Sequence, residues 1–206
     1  MLVTLVDLGL GNINSLYNSF KKIGVELNVS NNIKEIDKSD KLILPGVGAF
    51  NYAIKRINNL EIYDSILEFN HKKKYILGLC LGMQLFFLDS EENTITKGLG
   101  ILEGNIKSIK NDLKIKVPNI GWRKLNINNS EKKIKILKNI SSKDYFYFIH
   151  SYYAKNINKV NSVVMSQYLD NLIPSVIVKE NIIGIQFHPE KSGEKGLIIL
   201  KNFIEL

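Results

Sequence analysis

A chain of 206 residues, 45% of them hydrophobic, is long enough to bury a substantial core as one domain. Its net charge of +8 does not argue for nucleic acid: Arg56 and Arg123 are the only arginines among 28 basic residues, and planar, bidentate recognition of bases and phosphate favours arginine. One cysteine excludes an internal disulfide, residues 1–7 lack a signal-peptide pattern, and the longest apolar stretch, residues 75–88, is too short for a bilayer and carries Gln84, so a soluble cytoplasmic protein without a membrane role is expected.

Strand and helix signals alternate through the first half. Residues 2–6 form a β-branched apolar run, and residues 14–23 place Leu16, Tyr17, Phe20 and Ile23 at helical spacing. Residues 26–29 and 41–44 read as short strands, residues 49–72 have room for one or two helices, and residues 75–79 read as a buried strand. After Gly100 the strand-like segments are 106–110, 114–117, 145–150, 162–167, 175–179 and 182–187, followed by a closing helix over about residues 193–203. Residues 132–138 and 141–144 are expected to be exposed connections. The fold class is α/β: a central, mostly parallel sheet flanked by helices, with additional antiparallel strands.

The chemistry concentrates at Cys80, in Gly78-Leu79-Cys80-Leu81-Gly82-Met83-Gln84. Gly-x-Cys-x-Gly between a buried strand and a helical segment is the cysteine form of a nucleophile elbow, where two small residues let the chain turn sharply. The amino end of the next helix favours a thiolate, and a free Leu81 amide is expected to face a developing oxyanion. Of the three histidines, His71 precedes a lysine run at a helix end and reads as structural. His188, in Gln186-Phe187-His188-Pro189-Glu190-Lys191, ends an apolar strand where ligand crevices form, and Glu190 is placed to accept its other ring proton. Taken alone, the cysteine reads as an inert core residue and His188-Pro189 as a turn; their conjunction favours a Cys-His-Glu triad.

At these residues the chain resembles the class I glutamine amidotransferases, whose fold is flavodoxin-like, and within them the glutaminase subunits of imidazole glycerol phosphate synthases. The likeness extends through Asp7-Leu8-Gly9-Leu10-Gly11-Asn12, Leu44-Pro45-Gly46-Val47-Gly48-Ala49-Phe50, Pro118-Asn119-Ile120-Gly121-Trp122 and Tyr147-Phe148-Ile149-His150-Ser151-Tyr152-Tyr153. The resemblance implies that Cys80 attacks the carboxamide of glutamine, that His188 serves ammonia departure and water activation, and that Glu190 orients His188. It further implies glutamine contacts from Gly46, Val47, Gly48, Leu81, Gln84, Ser151 and Tyr152, with His150 supporting that last segment. The ammonia would pass to a (β/α)₈ cyclase partner in histidine biosynthesis, with Asn12, Trp122 and Lys191 facing that partner. No cofactor or metal is implied.

Asn119 and Arg123 depart from this pattern, which commonly has His and Asn there, and leave open a related route in which the ammonia is used on a surface-polysaccharide sugar. Other readings remain at this stage: a cysteine peptidase or thioester hydrolase with the same triad, or a non-catalytic binding module. A dinucleotide loop at residues 9–14 fails because Asn14 stands where a third glycine belongs and no acidic residue ends the second strand.

Overall fold

The computed structural model describes residues 1–128 and 131–206. The first half runs β1 (Val3–Val6), α1 (Ile13–Lys22), β2 (Asn28–Ser30), α2 (Ile33–Lys38), β3 (Lys41–Leu44), α3 (Phe50–Asn59), α4 (Tyr63–His71), β4 (Ile76–Leu79) and the one-turn α5 (Leu81–Gln84). Local chemistry accounts for the helix ends. Asn12 accepts from Ser15 N at 3.2 Å to cap α1, and Lys21 and Lys22 close its last turn, where the backbone dipole favours cations. Asn32 caps α2 in the same way, a signal that could have marked this six-residue helix, to which no expectation had been attached.

The second half runs β5 (Asp89–Ser90), β6 (Thr96–Lys97), β7 (Asn105–Ser108), α6 (Ile109–Leu113), β8 (Asn119–Asn126), β9 (Tyr145–His150), β10 (Tyr152–Lys155), β11 (Ser162–Tyr168), β12 (Asn171–Lys179), β13 (Ile182–Ile185) and α7 (Gly193–Glu205). Three expectations fail here. Residues 114–117 are not a strand, because Lys114 takes a left-handed conformation, φ 57°, that ends α6. Residues 109–110 belong to α6 rather than to the strand before it. Residues 132–138 are not simply an exposed connection: Ile136 and Leu137 are buried in the 3-10 turn Lys135–Leu137, held by Asn202, which donates to Ile136 O and Lys138 O at 2.9 and 2.7 Å.

Nine strands form one sheet in the order β2-β1-β3-β4-β13-β12-β11-β8-β9, and β10-β7-β5-β6 form a smaller one. The large sheet is parallel from β2 through β13 and antiparallel beyond, so the antiparallel extension is as large a share of the ladder as the parallel core. Side chains alternate between two apolar layers: Leu42 and Leu44 point into the one beneath α3 and α4, Ile43 into the one beneath α1 and α7. Lys41 is buried, but its Nζ donates to Phe203 O and Ile204 O at 2.9 and 2.8 Å, tying the final turn of α7 to β3. No helix among the described residues is long and apolar enough to cross a membrane.

Candidate active site

Cys80 follows β4 directly and adopts φ 52°, ψ −106°, a conformation L-residues rarely take. Two close approaches make the turn glycine-dependent. A Cβ on Gly82 would lie 1.8 Å from Leu44 O, and one on Gly78 would lie 2.6 Å from Gly82 O. The expected elbow is present, but the helix after it is shorter than expected. With four residues, α5 carries little macrodipole.

Parallel pairing of β4 with β13, Leu79 opposite Ile185, brings the two sequence-distant motifs to the same end of the sheet. The Cys80 amide donates to Ile185 O at 2.7 Å. Three residues beyond Ile185, His188 is buried, and its Nδ1 sits 2.8 Å from Glu190 Oε1. Only a protonated Nδ1 satisfies that contact, which leaves Nε2 as the nitrogen free to exchange protons. That Nε2 is buried and, among the described residues, has no hydrogen-bond partner; the same holds for Glu190 Oε2. Burial opposes charge on the imidazole, yet Cys80 and Glu190 together outweigh it and push His188 up to about 10. His188 is therefore cationic over the neutral range, beside the sulfur.

A cavity of about 390 Å³ opens over the sulfur. Val47, Gly48, Cys80, Leu81, Gln84, Ser151 and Tyr152 all line it, as do Glu92, Pro118, Ile149 and His150. The Pro45–Gly48 loop reaches it because β3 pairs with β4, Leu44 opposite Gly78. One expectation is overturned at this point: the Leu81 amide is not free but donates to Gly46 O at 3.4 Å. Because a trans peptide points its carbonyl and N–H in opposite directions, the Val47 N–H is turned away from the Leu81 amide. The Val47 nitrogen itself sits close to Gly11, where a Cβ would come within 3.6 Å of it. The Leu81 amide and the Val47 amide on the loop opposite it therefore do not converge on one point, as two donors to a single oxyanion would have to.

The sequence profile described as "Glutamine amidotransferase class-I" matches residues 4–206. The chain belongs to the class-I glutamine amidotransferase family. Within the family it is similar to "Imidazole glycerol phosphate synthase subunit HisH" of Oceanobacillus iheyensis, 41% identical over 205 residues that cover 100% of this chain and 99% of the relative. It is also similar to "Imidazole glycerol phosphate synthase subunit HisH 1" of Campylobacter jejuni, 40% identical with complete coverage of both. Among solved structures, a crystal structure of a glutamine amidotransferase superposes with TM-score 0.78 at 17% identity, covering 100% of this chain and 98% of that one. PurLQS from Thermotoga maritima gives TM-score 0.71 at 18% identity, covering 98% and 97%. At such identities these two speak for the amidotransferase fold alone.

Other expected residues of this amidotransferase take distinct places. Gln84 lines the cavity, but its Nε2 turns inward, donating to Tyr152 O at 3.1 Å and Gln186 Oε1 at 3.0 Å. The Tyr152 carbonyl also receives His150 Nδ1 at 2.8 Å, so two donors already fill it. Trp122 is 49% exposed and packs edge-on against Tyr147 at 5.8 Å, while Lys191 Nζ lies 6.0 Å over the other ring system of the pair, Tyr147. Asn12 is the exposed cap of α1, which packs against the 3-10 turn Pro189–Lys191. His71 is exposed at the end of α4. Glu92 and Gln186 were not anticipated. Glu92 places Oε2 2.7 Å from Phe50 N at the start of α3, a favourable site for a carboxylate, and among the described residues is the one acidic side chain lining the cavity.

His150 has a fixed tautomer. Its Nδ1–H donates to a carbonyl, so Nε2 accepts from Asn119 Nδ2 at 2.9 Å. Burial, with the nearby charges of His188 and Arg123, lowers its pKa to about 4 against the Tyr152 hydrogen bond. The unfolded chain takes up a proton near pH 6.5 that His150 in the folded one refuses until about pH 4, so the contribution of His150 to folding stability is full above 6.5 and lost as pH falls. His188, raised rather than lowered, acts in the opposite sense: its contribution is full well below pH 6.5 and is lost as pH rises toward about 10, so its slope fades over the lower part of that window. The unfolding free energy is expected to drop by up to about 3 kcal/mol between pH 6.5 and 4. Urea melts of wild type and His150→Gln check it: the variant should lose part of the slope, and equal slopes would rule out His150 as its source.

Proposed function

We propose that this amidotransferase hydrolyses glutamine to glutamate and ammonia at Cys80 and delivers the ammonia to a (β/α)₈ cyclase subunit in cytoplasmic histidine biosynthesis. The observation that carries the reading is the register of β4 against β13, which sets Cys80 and the His188–Glu190 pair together below a cavity of amino-acid size. Full-length identity of about 40% to proteins named imidazole glycerol phosphate synthase subunit HisH supports the acceptor over a surface sugar.

In this reading the Cys80 sulfur attacks the carboxamide carbon, and the oxygen becomes an oxyanion. His188 Nε2 gives its proton to the departing nitrogen, releasing ammonia and leaving a thioester. The neutral ring then takes a proton from water as the water oxygen bonds the acyl carbon, and the C–S bond breaks to free glutamate. Glu190 holds the ring in the required tautomer throughout. Glu92 offers the substrate α-ammonium its opposite charge.

The row of exposed Ile120, Trp122, Ile149 and Lys191 around the half-buried Tyr147, beside the sulfur, suits a partner surface, with aromatic anchors and a flanking cation. The departures at Asn119 and Arg123 do not enter that row. Asn119 is buried against His150, and the Arg123 guanidinium braces its own strand, donating to Trp122 O and Ile120 O at 3.0 and 3.1 Å. With Leu81 N bonded to Gly46 O, hydrolysis by the chain alone is slow, and a docked partner accelerates it by turning the Gly46–Val47 peptide. The test is glutamate release with and without the cyclase and its ribotide substrate. Stimulation of about 100-fold or more is expected, the size of one oxyanion donor. Release that ignores the cyclase would leave the glutaminase and remove the partner; no release at all would remove both.

A further inference from the structure

Behind the Cys80 sulfur lies a buried polar relay to which the reaction above gives no role. Gln186 follows β13 and is fully shielded from water. Strand alternation puts Gln186 and His188 on one face and sends Phe187 into the opposite apolar layer. Gln186 Oε1 accepts from Gln84 Nε2 at 3.0 Å, and Gln186 Nε2 stands 3.5 Å from Cys80 Sγ, within donor reach of sulfur.

The direction of this relay is imposed from its far end. A glutamine amide has the same shape whichever way its O and N ends point, but Tyr152 O is a backbone carbonyl and only accepts. Gln84 must therefore present its NH₂ there. The same NH₂ reaches Gln186, which must answer with oxygen. Its own NH₂ is then left for the sulfur. The fold thus fixes a donor against Sγ, and a thiolate accepts such a bond far better than a thioester sulfur does.

We propose that Gln186 is a positioning residue for Cys80: with its direction set by the Tyr152 carbonyl and transmitted through Gln84, its amide holds the sulfur as the anion that attacks the carboxamide. When water displaces sulfur from the thioester, the sulfur takes back the C–S electron pair and the same donor stabilises the thiolate that results. The inference rests on Cys80 being the nucleophile, and it also links that sulfur to the cavity wall at Tyr152 and His150 through an unbroken chain of hydrogen bonds.

Because the chain has one cysteine, the pH profile of iodoacetamide alkylation reports on this sulfur without any need for glutamine turnover. Gln186→Met keeps the side-chain length and removes the donor; Gln186→Glu keeps the shape and sets an oxygen against the sulfur. The alkylation midpoint is expected to move upward by about one pH unit in Gln186→Met and further in Gln186→Glu. With the cyclase present, kcat falls about tenfold at little-changed KM, the loss of one hydrogen bond to a charged group. Unchanged midpoints in both variants, or a lowered melting temperature with no change in midpoint, would reduce Gln186 to a packing residue and overturn the proposal. Were wild type to turn over no glutamine, the alkylation profiles would still decide the Gln186 contact separately.

Discussion

Glutamine hydrolysis in the presence of the cyclase is expected to fall by about four orders of magnitude or more in Cys80→Ala, and by a similar factor in His188→Asn. The two losses should not add. Without the sulfur there is no acyl carrier for His188 to serve, and without Nε2 the departing nitrogen has no proton donor, so the double variant should resemble either single one. Glu190→Gln should cost less than removing the ring but still about 100-fold or more, because an amide can present the wrong atom to Nδ1 and no longer stabilises the imidazolium. Cys80→Ala should melt within a few degrees of wild type, which separates lost chemistry from lost fold. Retention of a tenth of the activity in Cys80→Ala would sink the mechanism, since no other cysteine can substitute.

The largest expected effect on stability comes from a single methyl group at the elbow. In Gly82→Ala the new Cβ would stand 1.8 Å from Leu44 O and 2.7 Å from Leu44 C, and both belong to the backbone of a central strand. No rotamer change relieves a clash of that kind. Either β3 or α5 must move, which spoils packing near native density on both sides. A destabilisation of about 4 kcal/mol is expected, or a fall in melting temperature on the order of 10 °C for a chain of this size. Gly24→Ala is the control: its φ of +78° is strained for alanine, but nothing lies within 4 Å, so about 1 kcal/mol is expected. Urea unfolding of both variants checks the difference. Equal midpoints would mean that the elbow relaxes far more readily than its contacts imply.

What could be read from the amino acids follows burial. β1, β3, β4 and β13 are predominantly apolar, interrupted only by Thr4 in β1 and Lys41 at the start of β3, because both faces of the parallel core are covered, and each was visible as a strand. β8 was missed because its exposed face carries the apolar Ile120 and Trp122 while Gly121 and Arg123 stand on the other, so neither an apolar run nor an apolar-in, polar-out alternation marks it. β10 was missed because a single residue, Ser151, separates it from β9 as the chain passes from one sheet to the other. The Cys80 and His188 motifs were legible because elbow glycines and a strand-ending proline are required by geometry. Gln186 was accessible by the same logic, two residues before His188 on one strand face, whereas Glu92 reaches the cavity by tertiary folding with no local pattern. The orientation of the Gly46–Val47 peptide has no signature in residue type at all.

That peptide has a thermodynamic consequence. The bond from Leu81 N to Gly46 O is 3.4 Å long, and a neutral backbone hydrogen bond contributes about 0.5–1.5 kcal/mol net, less when stretched. Taken alone, such a bond favours the closed orientation by a factor of about ten at most, leaving the open one at about a tenth of molecules or more. A latch this shallow sets a floor under turnover by the free chain: opening it completely raises turnover by only about tenfold, so the remainder of a 100-fold stimulation must come from partner contacts that lower the barrier to reaction within the open arrangement.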